Sequence, residues 1–202
     1  MTIGILSIQG DFAAHAATLQ RLGVQTLEVR TVADLRHSDA LILPGGESTT
    51  QLQFLQEEGL FDAIRQFAAE GRAIFGTCAG AILLATHVKN PHQPALALLD
   101  MTILRNAYGR QLASDVFFGP TTLKKDPLEM VFIRSPIIES VSRDITVLAK
   151  LDGSPTLVQK NNLLAATFHP ELTDDPTVHS YFLSLISNHS STKKSPRPPS
   201  AP

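Results

Sequence analysis

Short runs of apolar residues alternate with longer segments in which apolar positions recur every three or four residues. The short runs, bounded by glycine, proline or charged turns, are typical of buried strands, and the longer segments are typical of amphipathic helices. Strands are predicted near 3–8, 25–30, 40–43, 73–76, 101–105, 131–134, 145–150, 155–159 and 163–168. Helices are predicted near 11–22, 49–57, 60–70, 79–86 and 175–187.

The order of these segments predicts an α/β fold. Strands alternate with helices over most of the chain, which favours an open, mostly parallel sheet flanked by helices on both faces. Region 100–160 contains more strands and fewer helices, so a small antiparallel extension is expected there. Sheets of this kind bind ligands at the carboxyl ends of their strands. Polar segments that follow strands are therefore the first places to look for a site.

Composition favours one globular domain with a short tail. The 202 residues are 43% hydrophobic and 18% charged, which is enough apolar material for a sizeable core. We predict that the domain spans residues 1–189. Residues 190–202 are basic, rich in proline and serine and almost free of large apolar side chains. Such a segment cannot bury enough surface to become ordered, so a disordered tail is predicted.

Charge and apolar content argue against two classes of partner. A formal net charge of −2 gives no electrostatic attraction to nucleic acid or to an anionic membrane. No apolar run approaches the ~18 residues of a membrane-spanning helix. The first residues lack the basic region of a secretory signal, and a single cysteine suits a reducing compartment. A cytoplasmic protein without nucleic-acid or membrane partners is expected.

That single cysteine, Cys78, directly follows a predicted buried strand. It lies in the segment 76–80, Gly-Thr-Cys-Ala-Gly, between this strand and a predicted helix. A sharp strand-to-helix turn needs small neighbours and places the thiol at a helix N-terminus, where a thiolate is stabilised. A lone cysteine serves neither a disulfide within the chain nor a zinc site. Two alternatives remain, a nucleophile and a buried structural residue.

His169 is the candidate partner of such a nucleophile. It ends the predicted strand 163–168 and is followed by Pro170 and Glu171. Residues two apart in an extended segment point to the same side, so Glu171 can accept the ring N–H and fix the imidazole tautomer. The alternative is a solvated loop. Six histidines receive structural or loop interpretations, and because none has the spacing of a zinc site no metal is predicted: His15, His37, His87, His92, His179 and His189.

A third polar segment follows the predicted strand 40–43. Residues 44–50 read Pro-Gly-Gly-Glu-Ser-Thr-Thr, and the two glycines allow the backbone to approach a ligand closely. Their N–H groups, with that of Ala79, are candidates to stabilise the negative oxygen of a tetrahedral intermediate. The alternative is a plain turn in which Ser48 caps a helix and Gln51 completes a capping box. The two interpretations are compatible.

Five segments occur together in a specific order: 43–50 (LPGGESTT), 75–80 (FGTCAG), 105–111 (RNAYGRQ), 132–136 (FIRSP) and 168–173 (FHPELT). They resemble the class I, triad-type glutamine amidotransferases, and most specifically the glutaminase subunits of pyridoxal 5'-phosphate synthase. Gln9, Gly10 and His15 also fit this pattern. The resemblance covers roughly residues 2–188, and the tail is outside it.

The resemblance implies a role for each matching residue. Cys78 would attack the side-chain amide of glutamine, forming a γ-glutamyl thioester and releasing ammonia. His169 would transfer the protons and Glu171 would orient it, while the N–H groups of Gly46 and Ala79 would form the oxyanion hole.

The resemblance also implies a set of glutamine-binding residues. Guanidinium groups bind carboxylates well, so two arginines in this set suit a free amino acid. The alternative for these arginines is a surface ion pair. The implied residues are Gly46, Glu47, Ser48, Arg105, Ile133 and Arg134.

The implied partner is a (β/α)₈ barrel subunit that uses the ammonia, with a pentose phosphate and a triose phosphate, to make pyridoxal 5'-phosphate. Gln9 and Gly10 would lie near the interface with it. We expect no cofactor in this chain, and activity that depends on the partner.

Three alternatives remain at this stage. A glutaminase of another synthase would share the triad but lack the segments around Arg105 and Arg134. A peptidase or chaperone-like relative would keep the cysteine without the context of residues 169–171. A non-catalytic regulatory subunit would have lost a triad member, and this chain has all three.

Overall fold

The computed structural model describes residues 1–106 and 114–192, with side chains for 1–106 and 115–186. In chain order the elements are β1 Thr2–Leu6, α1 Phe12–Arg21, β2 Gln25–Val29, α2 Val32–Arg36, β3 Ala40–Leu43, α3 Ser48–Glu57, α4 Leu60–Ala69, β4 Ala73–Thr77, α5 Ala79–Leu84, β5 Ala85–Lys89, β6 Leu99–Leu104, β7 Ser114–Gly119, β8 Leu128–Ile133, β9 Ile137–Val141, β10 Thr146–Leu151, β11 Ser154–Lys160, β12 Leu163–Ala166, a 3₁₀ helix Pro170–Leu172, and α6 Thr177–Thr192.

The main sheet has the strand order β10-β11-β12-β4-β3-β1-β2 within the described residues. Five neighbouring strands, from β12 to β2, are parallel, and β10 and β11 extend the sheet in antiparallel pairing. The predicted fold class is confirmed, including its antiparallel extension. The chain adds β2 on one side of β1 and then returns to β3 on the other side. This reversal opens a crevice at the carboxyl ends of the strands, where such sheets bind ligands.

Side chains of the central strands point alternately to the two faces of the main sheet, and each face has its own hydrophobic core. On β3, Leu41 and Leu43 pack into one core, and Ala40 and Ile42 pack into the other. The first core contains apolar residues of α2 to α5, and the second contains residues of α1 and α6. Because every β3 side chain is buried, this strand is a continuous apolar run, as expected for the centre of a parallel sheet.

Several elements differ from the prediction. The helix predicted at 79–86 ends at Leu84, and Ala85–Lys89 forms a strand that pairs with β6. Helix α2 was not predicted, although Thr31 and Asp34 form a capping box at its start. Strands β7 and β9 were also not predicted. They belong to two small sheets, the pair β7-β8 and the three strands β5-β6-β9.

Helix α6 begins at Thr177, two residues after the predicted start at 175. Asp175 Oδ1 accepts a hydrogen bond from the N–H of Thr177 at 3.0 Å. The helix continues to Thr192, beyond the predicted domain boundary at 189. Residues 193–202 of the predicted tail and residues 107–111 of the 105–111 segment lie outside the described residues. No helix in the described part of the chain is long and apolar enough to cross a membrane.

Candidate active site

Cys78 forms a sharp elbow between β4 and α5. Its backbone has φ 48° and ψ −102°, a positive φ that is uncommon for a non-glycine residue. The N–H of Cys78 donates to the carbonyl oxygen of Ala166 at 2.8 Å, which ties the elbow to the end of β12. The thiol is free and 7% exposed. Ala79 opens α5, so its N–H belongs to the first turn, where helices lack internal acceptors.

The elbow requires its two glycines for steric reasons. A Cβ on Gly76 would lie 2.5 Å from the carbonyl carbon of Gly80. A Cβ on Gly80 would overlap with the carbonyl oxygen of Leu43 on the neighbouring strand β3. Side chains at either position would therefore push α5 away from the sheet.

His169 and Glu171 lie beside this elbow, just beyond the end of β12. The N–H of His169 donates to the carbonyl oxygen of Val131 at 2.8 Å, so β8 fixes its backbone. Its Nδ1 is 2.7 Å from Oε1 of Glu171, which lies in the 3₁₀ helix. His169 is 3% exposed and Glu171 is 4% exposed. This is the histidine–carboxylate contact predicted from the spacing of the two residues.

Electrostatics favours a protonated His169. Burial by itself lowers the pKa of His169, but the nearby Cys78 and the hydrogen-bonded Glu171, with the charges of both groups, outweigh it and raise the pKa to about 10. Burial raises the pKa of Glu171, and the hydrogen bond and charge of His169 oppose this shift. Nε2 of His169 is buried and makes no hydrogen bond to the described residues.

The loop after β3 packs directly against the imidazole. A Cβ on Gly45 would overlap with Cε1 of His169, so only glycine fits there. Gln51 is fully buried, and its Nε2 donates to the carbonyl oxygen of Pro44 at 3.2 Å. The capping box considered as the alternative is therefore wrong, because Gln51 holds the loop instead. Ser48 is also not a cap, and its Oγ donates to Oε1 of Gln93 at 3.1 Å.

Gln9 and Gly10 support the same loop from the end of β1. Oε1 of Gln9 accepts a hydrogen bond from the N–H of Glu47 at 2.9 Å. Gly10 has φ 98°, and a Cβ there would overlap with the carbonyl oxygen of Gly45. The structure thus assigns both residues a contact inside the chain. Their place at a partner interface remains a prediction.

A cavity of about 220 Å³ joins these segments. It is smaller than the roughly 300–1,000 Å³ typical of pockets for drug-sized ligands, which suits a ligand such as an amino acid. All six predicted glutamine-binding residues line it, whereas Gly10, Ala79 and Glu171 lie outside the lining. The lining residues are Gln9, Asp11, Gly46, Glu47, Ser48, Cys78, Ile82, Arg105, Asn106, Ile133, Arg134, Pro136 and His169.

Two arginines give the cavity its positive charge. Arg105 donates from Nη2 to Oγ1 of Thr49 at 2.9 Å, which holds it at the start of α3. Nη2 of Arg134 lies 3.4 Å from Oε1 of Glu47, and both side chains are more than half exposed. The ion pair considered as the alternative for Arg134 is thus present, with both members on the cavity wall. Arg134 also has φ 45°, so its backbone is held in an uncommon conformation.

Three titratable residues near His169 and Glu171 were not predicted to belong to the site. Asp11 lines the cavity, and its Oδ2 is 3.7 Å from Nδ1 of His169. His15 and His179 lie behind Glu171 and are fully buried. Asp11, His169 and Glu171 bring metal-ligand atoms within 4.8 Å of one another. However, Nδ1 of His169 is already engaged with Glu171, so this arrangement suits proton transfer better than metal binding.

Residues 5–188 match the model of the SNO glutamine amidotransferase family. A protein from Koribacter versatilis named pyridoxal 5'-phosphate synthase subunit PdxT is 47% identical over 194 residues, covering 96% of this chain and 100% of the relative. A solved structure described as a glutamine amidotransferase superimposes with a TM-score of 0.87 at 44% identity, covering 92% of this chain and 98% of that chain.

A more distant structural neighbour shares the fold alone. It is a glutamine amidotransferase from Thermotoga maritima, with a TM-score of 0.61 at 14% identity, covering 97% of this chain and 86% of that chain. The sheet architecture therefore extends beyond the sequences that resemble this chain closely.

Proposed function

Because this chain belongs to the SNO glutamine amidotransferase family, we propose that it is the glutaminase subunit of a pyridoxal 5'-phosphate synthase. It hydrolyses L-glutamine to L-glutamate and ammonia, and the ammonia passes to a synthase partner. The observation that carries the proposal is the placement of Cys78 at a strained elbow beside the His169–Glu171 pair, with Cys78 and His169 lining one polar cavity. The high identity to a synthase subunit favours this pathway over other amidotransferases.

The first half of the reaction forms a thioester. The Cys78 thiolate attacks the side-chain carbonyl carbon of glutamine, and the N–H groups of Gly46 and Ala79 stabilise the negative oxygen that forms. The imidazolium of His169 donates a proton to the amide nitrogen, so the C–N bond breaks and ammonia leaves. Glu171 keeps the imidazole oriented and stabilises its charged form.

The second half consumes one water molecule. Neutral His169 now takes a proton from water, and the resulting hydroxide attacks the thioester carbonyl. The same two N–H groups stabilise the second tetrahedral intermediate. Its collapse breaks the C–S bond, releases glutamate and returns the thiolate and imidazolium to their starting state.

The cavity lining supplies the contacts for the amino acid. Arg105 and Arg134 offer guanidinium groups to the α-carboxylate, and Glu47 offers a carboxylate to the α-ammonium group. Gly46, Ser48 and Ile133 complete the glutamine site. Because Glu47 already pairs with Arg134, both ends of the substrate are expected to be held by one charged cluster.

The partner in this proposal is a barrel subunit that converts a pentose phosphate and a triose phosphate to pyridoxal 5'-phosphate. Ammonia released into water is mostly protonated at neutral pH and is then a poor nucleophile. Direct transfer within a complex avoids this loss, so activity is expected to depend on the partner. Gln9 and Gly10 are proposed to lie near the interface. The proposed location is the cytoplasm, where a reducing environment keeps the Cys78 thiol free. The chain needs neither a metal nor a cofactor for these steps.

The test is ammonia release from glutamine, measured with and without a barrel subunit. Cys78→Ala should lower kcat by about 10⁴-fold or more while leaving folding and partner binding intact, because the nucleophile is lost. His169→Asn should have a comparable effect. A matched control is His92→Asn, which alters an exposed histidine outside the cavity.

Two results would contradict the proposal. Ammonia release by Cys78→Ala would show that another group attacks the substrate. Release that is equally fast with and without the barrel subunit would keep the glutaminase but would reject this synthase as its partner.

A further inference from the structure

A pair of buried histidines lies directly behind the proposed triad. His15 on α1 and His179 on α6 are both fully buried. Nδ1 of His15 is 2.9 Å from Nε2 of His179, which makes a hydrogen bond between two side chains 164 positions apart. Nothing in the glutaminase mechanism above uses either residue. Most buried polar groups have hydrogen-bond partners, so the remaining contacts of this pair are informative.

The remaining contacts fix where the protons lie. Nδ1 of His179 is buried and has no partner among the described residues. A bare acceptor is less costly in such a place than an orphaned N–H, so the proton of neutral His179 belongs on Nε2. From there it is donated to Nδ1 of His15. His15 must then carry its own proton on Nε2.

The Nε2–H of His15 hydrogen-bonds to Thr77 and has a second acceptor, an oxygen of Glu171, close by. Thr77 Oγ1 lies at 3.1 Å, and Oε2 of Glu171 lies at 3.4 Å. Oε2 is buried and makes no hydrogen bond of ordinary geometry to the described residues. The 3.4 Å separation exceeds the usual 2.7–3.2 Å by a few tenths of an ångström. Catalytic hydrogen bonds are often long in the free enzyme and shorten when charge develops.

We propose that His15 is a positioning residue for Glu171, donating from Nε2 to Oε2 while His169 donates to Oε1. His179 completes the arrangement by fixing the tautomer of His15. The inference rests on the proposed Cys78–His169–Glu171 triad and extends it by two residues. In this arrangement both carboxylate oxygens are held, so Glu171 cannot rotate away from the imidazole.

The charges around Glu171 explain why a neutral donor is useful. Burial and the charge of Asp11 raise the pKa of Glu171, and both effects oppose its ionised form. Burial, followed by the charges of His179 and His169, keeps the pKa of His15 well below its usual range. His15 is therefore neutral at pH 7, and its hydrogen bond stabilises the carboxylate without forming a competing ion pair with it.

His179 is kept neutral in the same way. Burial, with a smaller contribution from the positive charge of Arg21, lowers the pKa of His179 to about 4. The groups that face Glu171 and the histidine pair are thus His169, Asp11 and Arg21. Of these, only His169 is expected to change its charge during turnover.

The experiment compares His15→Leu with His15→Gln in the complex with a barrel subunit. Leucine removes the donor, whereas glutamine carries an acceptor for His179 and a donor for Glu171. In His15→Leu we expect kcat to fall about tenfold or more with KM within about twofold, because the charged carboxylate of Glu171 loses a hydrogen bond. We also expect the acid limb of the pH profile of kcat/KM to move to higher pH. His15→Gln should restore most of both.

The matched control is Leu19→Ala, which removes a buried side chain from the same helix and the same core without touching the triad. It should lower stability but leave kcat and the acid limb unchanged. The inference is overturned if His15→Leu keeps the wild-type acid limb, or if Leu19→Ala shifts it equally. Wild-type ammonia release, abolished in Cys78→Ala, separates failure of this inference from failure of the proposed function.

A second measurement uses only the wild-type protein, so it does not depend on whether a variant folds. Selective ¹⁵N labelling of the histidines in the wild-type protein reports the tautomer of each ring by NMR at pH 7. The proposal requires protons on Nε2 of both His15 and His179. A proton on Nδ1 of His15 would overturn it, because Nε2 would then have no hydrogen to offer to Glu171.

Discussion

Cys78 is held at φ 48° and ψ −102°, a sparsely populated backbone conformation that costs about 1–3 kcal/mol. Two backbone hydrogen bonds retain it there, one from its N–H to Ala166 and one from Ile82 to its carbonyl oxygen. This strained conformation places the sulfur of Cys78 in the wall of the cavity. It also allows helix α5 to begin at the next residue, Ala79. Strained backbone of this kind clusters at functional sites.

Arg105 offers a sharp test of substrate binding. Arg105→Ala should raise KM for glutamine about tenfold, since a charged hydrogen bond is worth about 1.5–3 kcal/mol, while kcat stays within about twofold. Initial rates of ammonia release against glutamine concentration measure both constants. Arg143→Ala, at an exposed position away from the cavity, is the control. An unchanged KM in Arg105→Ala would remove this residue from the substrate site.

His179 predicts a pH dependence of stability. Its pKa is about 4 in the folded chain against 6.5 for an ordinary histidine, so the unfolded chain binds the proton more readily. The stability that this group contributes is present above pH 6.5 and is lost as pH falls toward 4. A pKa shift of this size corresponds to a loss of about 3 kcal/mol in the free energy of unfolding. Urea unfolding between about pH 7.5 and 4.5 should show a shallower loss in His179→Gln than in the wild type.

Exposed His92 supplies the control for that experiment. His92→Gln should keep the wild-type dependence of the unfolding free energy on pH. If His179→Gln and the wild type lost stability equally over this range, the buried and neutral state assigned to His179 would be wrong.

The sequence points to the residues of the proposed triad more readily than to the residues behind it. Cys78 and His169 each follow an apolar strand, and Glu171 is two positions from its partner, so local patterns suffice. The contact between His15 and His179 depends on the packing of two helices, which no local pattern describes. The available signal was a histidine on the apolar face of each helix, beside Leu19 on α1 and Phe182 on α6.

At the scale of elements, the packing of α5 on β3 determines whether the elbow can form. Gly80→Ala places a Cβ where the Leu43 carbonyl oxygen already lies, so helix or strand must move. We expect a loss of about 3 kcal/mol or more in the free energy of unfolding, together with the loss of glutaminase activity. Chemical denaturation measures the first, and ammonia release measures the second.

Gly59→Ala is the matched control for this substitution. Gly59 has φ 68° but no atom within 4 Å of an added Cβ, so only the backbone cost of about 1–2 kcal/mol applies. If Gly80→Ala and Gly59→Ala lost the same free energy of unfolding, the loss in Gly80→Ala would come from backbone conformation alone. The close approach of α5 to β3 would then not explain it.

Whether an element could be predicted from the sequence depends on how completely it is buried. The strands β3 and β4 are buried at every position and read as short apolar runs. Strand β7, in the small two-stranded sheet, exposes the apolar side chains of Val116 and Phe118. Its sequence pattern therefore did not predict a strand. Its pairing with β8 is set by tertiary contacts, which override local propensity. The same holds for β5, where the helical pattern of 79–86 concealed the start of a strand.

At the scale of the whole molecule, α6 joins the chain end to the core. Phe182 is fully buried and Leu185 is 7% exposed, so the helix is part of the second core. The segment beyond it, 193–202, carries no large apolar side chain. The chain end therefore divides into a structural helix and a polar remainder.

Truncation tests that division. Deletion of 193–202 should leave ammonia release and complex formation with a barrel subunit within about twofold of the full chain, because this segment carries no large apolar side chain. Deletion from Phe182 onward should abolish folding, as it removes two core side chains. Size-exclusion chromatography and the ammonia assay measure both effects. Loss of the complex in the shorter deletion would instead give the polar remainder a role in assembly.

The lone thiol of this chain has a consequence for its response to oxidants. Oxidation of Cys78 gives a sulfenic acid, which many proteins protect by forming a disulfide with a nearby resolving cysteine. This chain has no second cysteine, so it cannot form such a bond within itself. Recovery depends on a small thiol or reductase from outside, and without one the sulfur proceeds to the irreversible sulfinic acid. Ammonia supply is then limited by the thiol pool around the enzyme.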